Sequence, residues 1–310
     1  MPDALTTVKK QRYYLELLKG IAEEKQLDQT GFYQLDALLT VLGSEVRNRR
    51  ISRQEIAYVN TIFGMDFLKE TLQGRGLLKP CGYSGDYLIL DRIYTYYTSD
   101  DPKYRLWDAY FQQQVAMRAI RHRKTYFQDL VMARVAENRN LRILNVISGS
   151  GRELMELYRE LPPGHNVNTT CVEMDDDAIA YSKGLNANYL RKIKYVHTNI
   201  FSYNNPVGQD LIWAAGLLDR SSDEEVVSAL ELFKNWLNPG GEIVLGNFNA
   251  KHYPSRDYME LLCEWELNCR TEGKLTELAG KAGFGFDQIR IGAEKENLIQ
   301  FLHLKVKSDA

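Results

Sequence analysis

The sequence predicts an α/β fold, a mainly parallel sheet with helices on its faces, preceded by a separate helical region. Three observations predict it. Residues 141–152 read LRILNVISGSGR, an apolar run ending in a small-residue turn, and a second apolar run, CVEMDDD at 171–177, closes on the acid Glu173. Strand-like and helix-like stretches then continue to alternate, five times in all. Two β-rich runs, FDQIRIG and NLIQFLHLKVK, are separated by a short polar turn and form a terminal antiparallel hairpin.

The first βαβ unit carries the chemistry. Glycines at 149 and 151 let the backbone approach a ligand closely, and the following helix N-terminus favours a negative group. A carboxylate at the tip of the second strand, here Glu173, can accept hydrogen bonds from both ribose hydroxyls. The ligand expected is therefore an adenosine-type molecule. A dinucleotide fingerprint needs a third glycine, but Leu154 stands at that place and Glu153 would repel a pyrophosphate, so NAD is disfavoured.

The elements downstream follow in order. IKYVHTN, 193–199, reads as a third strand. DLIWAAGLLD, 210–219, reads as a fourth, apolar throughout as in a buried parallel sheet, ending in Ala214, Ala215, Gly216 and then Asp219. An amphipathic helix at about 224–237 leads to NPGGEIVLGNF, a helix stop, a Gly-Gly turn and a fifth strand. Residues 247–272 follow, where substrate-facing groups commonly sit. His252 is the candidate base for an acceptor that must lose a proton, and Arg256 or Arg270 could hold a carboxylate by a two-pronged hydrogen bond. Tyr258 and Trp265 could wall the pocket, although YMELLCEWEL is helical and would also pair Glu266 with Arg270 at i and i+4 on its surface.

At 310 residues the chain has room for a second domain. The α/β domain accounts for 123–310, which leaves 1–122 as a helical accessory or lid domain. Its charged and apolar residues alternate at helical spacing, with breaks at Gly31 and Gly64, and RNRRISRQE reads as a solvated basic turn. KPCGYSGDYLILDRIYTYY is a shaped loop: Gly82 and Gly85 flank Tyr83 and Ser84, and Asp86 is placed to cap a helix beginning at Tyr87. Rings of this region, Tyr83 and Tyr87 first among them, suit an apolar substrate body or a cation. Arg118, Arg121 and Arg123 lie on one helix leading into the domain; at least one could reach the site from the accessory side, but a solvated face is the stronger reading of the cluster.

Composition excludes some classes. A net charge of −2 with 44% hydrophobic residues gives no electrostatic case for nucleic acid. No apolar run is long enough to span a membrane, and MPDALTTVKKQ lacks the apolar core of a signal peptide, so cytoplasmic residence is expected. The four cysteines form no CxxC pair and no metal spacing; Cys171 is expected in a buried strand.

The turn at 145–151 resembles motif I of the class I S-adenosylmethionine (SAM) methyltransferases, with Asn145, Ile147, Gly149 and Gly151 at the matching positions; Asn145 replaces the usual acid and Ile147 the first glycine. LNPGG before the fifth strand resembles another signature of that class. CGYSGDY, AIRHRKTYF, LNVISGSGRE, DLIWAAGLLD and GNFNAKHYPSRDYMELLCEWELNCRTE together resemble one bacterial family, SAM-dependent methyltransferases related to the enzymes that make 3-hydroxy fatty acid methyl esters. The resemblance implies a Rossmann-like seven-stranded sheet and SAM as the cofactor. It implies cofactor contacts from Asn145, Ser148, Gly149, Gly151, Glu173, Met174 and Ala215, with Asn199 and Ile200 at the adenine. It also implies methyl transfer to a small molecule, a carboxylate being one candidate, with no metal. Tyr83, His252 and Arg270 are the catalytic candidates, and Tyr83, Tyr87, Arg256, Tyr258 and Trp265 the substrate-binding ones. A homodimer would form through the helical region. Two alternatives stay open: SAM chemistry other than methyl transfer, and a degenerate SAM-binding domain kept for partner binding or regulation.

Overall fold

The computed structural model describes residues 4–138, 140–204 and 207–308. The chain begins with α1 (Ala4–Glu24), α2 (Gln29–Arg47), α3 (Arg53–Ile62), α4 (Gly64–Glu70), α5 (Leu72–Leu78), α6 (Tyr87–Tyr94), α7 (Pro102–Gln113) and α8 (Val115–Glu137). It continues through β1 (Asn140–Val146), α9 (Arg152–Glu160), β2 (Asn166–Glu173), α10 (Asp176–Leu185), β3 (Ile193–His197), β4 (Gln209–Ala214) and α11 (Asp223–Lys234). It ends with β5 (Leu237–Phe248), α12 (Arg256–Leu262), α13 (Glu272–Lys281), β6 (Ile289–Ala293) and β7 (Ile299–Lys305). Two compact units result, Met1–Met117 with Pro254–Glu266, and Arg118–Tyr253 with Leu267–Ala310.

The first unit is helical. Several of its helices start where a side chain satisfies the exposed backbone N–H groups: Asp28 accepts from Gly31, Ser52 and Glu55 form a capping box, and Asp101 precedes Pro102. Asp86 accepts from the N–H groups of Leu88 and Ile89, both at 2.9 Å, and caps α6 as its position in the sequence implies. Phe32, Leu35, Leu39 and Leu42 recur at three- and four-residue intervals on α2 and are buried. Trp107 lies edge-on to Phe32, Phe63 and Phe67, and forms the centre of the core. The residues of the expected basic turn are paired: Arg50 with Glu45, Arg47 with Asp257, Arg53 with Glu260 and Glu266.

The second unit is built on a seven-stranded sheet of order β3-β2-β1-β4-β5-β7-β6. The first five strands run parallel, and β7 enters antiparallel to both β5 and β6. One face packs Leu144, Ile212, Ile243 and Leu302 against Leu230 and Phe233 of α11 and Leu278 of α13. On β4, Trp213 alternates with these residues, stacks on Phe301 and lies tilted against Phe127. Strand order reverses between β1 and β4, and the crevice beyond the carboxyl ends of these two strands is where doubly wound sheets bind ligands.

The sheet and its hairpin are those the sequence implies, with three differences. The connection from β3 to β4 carries, among its described residues, a single 3₁₀ turn (Ile200–Ser202) instead of a crossover helix, because so short a link cannot hold one. Residues 254–266 pack with the helical unit although they follow β5, and the division near residue 117 precedes the expected boundary at 122/123. Finally, α12 ends at Leu262, and Glu264 adopts a left-handed φ of 45°, so Glu266 and Arg270 do not share a helix.

Candidate functional site

The turn after β1 departs sharply from ordinary backbone. Ile147, Gly149 and Gly151 have φ of 56°, 53° and 65°. Glycine adopts this region freely, whereas a β-branched residue is an outlier there, at a cost of about 1–3 kcal/mol. Ile147 therefore holds a conformation that suits glycine, and it is fixed by donating its N–H to the Val172 carbonyl at 2.9 Å. At Gly151 space is decisive as well: an added Cβ would lie 2.0 Å from Ser182 Oγ. At Gly149 it would meet nothing within 4 Å, so the backbone there faces open space.

Glu173 closes the turn from the neighbouring strand. Its Oε2 accepts from the Gly149 N–H at 2.9 Å, and its Oε1 from Met174 and Asp175 at 2.8 and 3.2 Å. A carboxylate offers about four lone-pair directions, so with the turn as it stands one further donor is accommodated where the sequence led us to expect two ribose hydroxyls. Met174, beside it, is 61% exposed although apolar. The nine-residue α9 starts after Gly151 with no side-chain cap. Asn145 is buried at the end of β1, its amide donating to Glu153 Oε1 at 3.2 Å. Ser148 is buried beside the Cys171 thiol, whose pKa burial pushes up.

Across the switch point, the Ala215 carbonyl at the end of β4 accepts from Arg123 Nη1 at 3.1 Å. Arg123 is 8% exposed, which corrects its reading as part of a solvated face. The signal was present in the sequence: Ala116, Ile120, Arg123, Phe127 and Val131 form one stripe of α8, and all are buried. Farther along, Asp219 accepts from the Asn247 amide at 2.7 Å and the Phe248 N–H at 3.1 Å. Burial raises its pKa, opposed by those two bonds and by the charges of Arg123 and Arg220.

The structure thus gathers Asn145, Ser148, Gly149, Gly151, Glu173, Met174 and Ala215 at the carboxyl ends of β1, β2 and β4. Asn199 follows β3 with its side chain exposed, its Oδ1 accepting from Phe201 N at 2.8 Å. Ile200 turns its side chain into the apolar cluster with Val172 and Leu218, which leaves its backbone as the part that could meet a ligand.

The remaining candidates do not form one constellation. In the sheet unit, Arg270 is an architectural clamp: Nε binds Asp223 at 2.9 Å, Nη1 binds the carbonyls of Leu218 and Asn268, and Nη2 that of Ser221. Four of its five N–H donors are committed to the protein, which corrects the expectation that it holds a substrate carboxylate by a two-pronged hydrogen bond. His252 is exposed in the turn after β5. In the helical unit, Tyr258 is buried and donates to Gln73 at 3.0 Å, and Arg256 is exposed and paired with Glu260. Trp265 packs on Gly85, where a Cβ would come within 2.4 Å of the ring; this burial corrects its reading as a pocket wall. Tyr83 and Tyr87 are half-buried in the same unit. Among the described residues no group of three or more His, Cys, Asp or Glu is placed to hold a metal.

Comparison with known proteins agrees with this geometry. A possible exported protein from Bordetella parapertussis has 18% identity over 96% of this chain and 97% of its own, with a TM-score of 0.63. The apo form of the S-adenosylmethionine-dependent methyltransferase SibL has 13% identity over 86% of this chain and 77% of its own, with a TM-score of 0.50. At such identities these likenesses establish a shared fold. No curated protein matches the chain. A family model described as "Putative methyltransferase" matches residues 25–228, more than half of the chain, reaching from the helical region through the glycine turn, Glu173 and β4. The chain belongs to this methyltransferase family.

Proposed function

We propose that the protein transfers a methyl group from SAM to a small molecule, with the cofactor's nucleoside at the carboxyl ends of β1 and β2. The observation that carries this reading is the left-handed turn at 147–151 tied to Glu173, in a chain of a methyltransferase family. The residues fit the cofactor: Glu173 has an acceptor direction for a ribose hydroxyl, Met174 offers an exposed apolar face for the base, and open space lies over Gly149. When bound, SAM supplies a methyl already activated by its sulfonium, so the protein's task is chiefly alignment.

A carboxylate acceptor, as in the methyl esters of the family the sequence resembles, needs orientation and no general base. Cytoplasmic action and a homodimer through the helical region complete the proposal; cell fractionation and light scattering test them.

Ile147 bears on the reading of a decayed cofactor site. A turn that had lost its ligand would be free to relax, yet this one keeps a left-handed β-branched residue.

Calorimetric titration with SAM and S-adenosylhomocysteine tests the cofactor. Micromolar binding of both, weakened at least about tenfold in Glu173→Ala, is expected; a tenfold loss corresponds to about 1.4 kcal/mol, in the range of one hydrogen bond to a charged group. Equal affinity in Glu173→Ala would remove the nucleoside from this strand tip. Screening carboxylate and amine acceptors for the added mass of one methyl then identifies the class.

A further inference from the structure

The helical unit contains a cavity of about 630 Å³ that methyl transfer as proposed above does not use. That volume lies within the range of small-molecule sites. Two helices wall it with single faces. From α2 come Gln29, Phe32, Tyr33, Asp36 and Thr40, and from α7 Leu106, Ala109, Tyr110 and Gln113, each set spaced by three and four residues. Ser255, Asp257 and Tyr258 complete the lining.

Four aromatic rings and two carboxylates stand among the lining residues. Phe32 stacks on Tyr110 with centroids 4.4 Å apart, Tyr258 stands edge-on to Tyr110 at 5.0 Å, and Tyr33 is 66% exposed. Among the described residues no lysine or arginine lines the space. Of the two carboxylates, Asp257 is neutralised by Arg47. Asp36 has no cationic partner in the lining; its Oδ1 accepts the Tyr110 hydroxyl at 2.5 Å, and the Tyr110 oxygen in turn is hydrogen-bonded to the Gln114 side chain. A carboxylate can accept several donors, so this polar end has capacity beyond the tyrosine.

We propose that this cavity is a binding site for a small organic amine with a planar apolar body, its ammonium held by Asp36 and its body against the tyrosine rings. An ammonium beside Asp36 gains a charge-assisted hydrogen bond, and the exposed ring of Tyr33 adds cation–π attraction. A carboxylate ligand would meet Asp36 with like charge, and a purely apolar one would draw nothing from it. Burial raises the Asp36 pKa despite the Tyr110 bond. Amine affinity therefore rises with pH as Asp36 ionises, since the other titratable groups facing the cavity are Tyr33, Tyr110, Tyr258 and the paired Asp257.

The test is a titration of the full chain with two probes of like size and opposite charge, phenethylamine and 3-phenylpropanoate, without SAM, so that its outcome is independent of cofactor binding. Saturable binding of the amine below about 10 mM is expected, with the acid at least about tenfold weaker. Asp36→Asn should cost the amine about tenfold, and Ala109→Trp, which fills the cavity from α7, should abolish binding with thermal unfolding still cooperative. Comparable binding of acid and amine by the wild-type protein, unchanged amine affinity in Asp36→Asn, or no saturation by about 10 mM amine would overturn the proposal.

Discussion

Single residues decide the shape of the turn that gives this protein its candidate cofactor site. Ile147 occupies a conformation glycine would hold at no steric cost, and its side chain is 39% exposed, so little burial is lost on truncation. Ile147→Gly should therefore stabilise the fold by about 1 kcal/mol, after the added chain entropy of glycine is offset, as read from the denaturation midpoint at constant slope. Gly151→Ala should act in the opposite direction, because the new methyl meets Ser182 and the left-handed φ together; a loss of about 2 kcal/mol or more is expected. Arg270→Ala removes a buried clamp with one ion pair and three carbonyl partners. It should cost about 3 kcal/mol while leaving SAM affinity within about twofold, and a selective loss of turnover in a stably folded variant would show that Arg270 serves the substrate after all.

The strands were legible because apolar runs ending in glycines, acids and Pro-Gly-Gly are local signals. The glycine turn, Glu173 and the hairpin stood where periodicity and turn chemistry placed them. Side chains beyond β5 were not legible. Arg270 and Trp265 look alike in sequence as pocket-lining candidates, yet one satisfies four partners and the other packs on Gly85, and only long-range contacts distinguish these fates. Arg123 was legible from the helical stripe it shares with Ile120 and Phe127, but a charged residue on an apolar face reads as an exception until a carbonyl is found for it. The hairpin also hides an acid-sensitive group. His303 on β7 is 2% exposed, with Nε2 2.7 Å from the Tyr126 hydroxyl and Nδ1 between Glu242 at 2.7 Å and Arg290 at 2.9 Å. Burial, reinforced by the charges of Arg290 and Arg134, lowers its pKa from 6.5 to about 3. An imidazole that protonates near 6.5 when unfolded but stays neutral in the fold contributes stability that is complete above pH 6.5 and is lost as the pH falls to about 3. His303→Gln should flatten this part of the pH–stability curve between pH 6 and 4 by about 1–3 kcal/mol, measured by urea unfolding at each pH; an unchanged slope would assign the acid response to other groups.

At the scale of the whole molecule, the helical unit is discontinuous in sequence. Pro254–Glu266 supplies Tyr258 to Gln73, the Leu261 carbonyl to Asn60 and the Trp265 ring to Gly85. A fragment of residues 1–117 should thus lack a cooperative unfolding transition by circular dichroism, and adding a peptide of residues 254–266 should restore one; cooperative unfolding of the fragment alone would make the returning segment an accessory. Composition could not disclose this arrangement, because the segment's helical pattern fits either unit equally well.

That discontinuity has a consequence for biosynthesis. On the ribosome, the amino-terminal helices emerge first but cannot complete their unit until residue 266 has left the exit tunnel, after the whole intervening stretch of 118–253. At roughly 5–20 residues per second the delay is on the order of ten seconds, during which Phe63, Phe67 and Trp107 belong to an unfinished nascent chain that chaperones can bind.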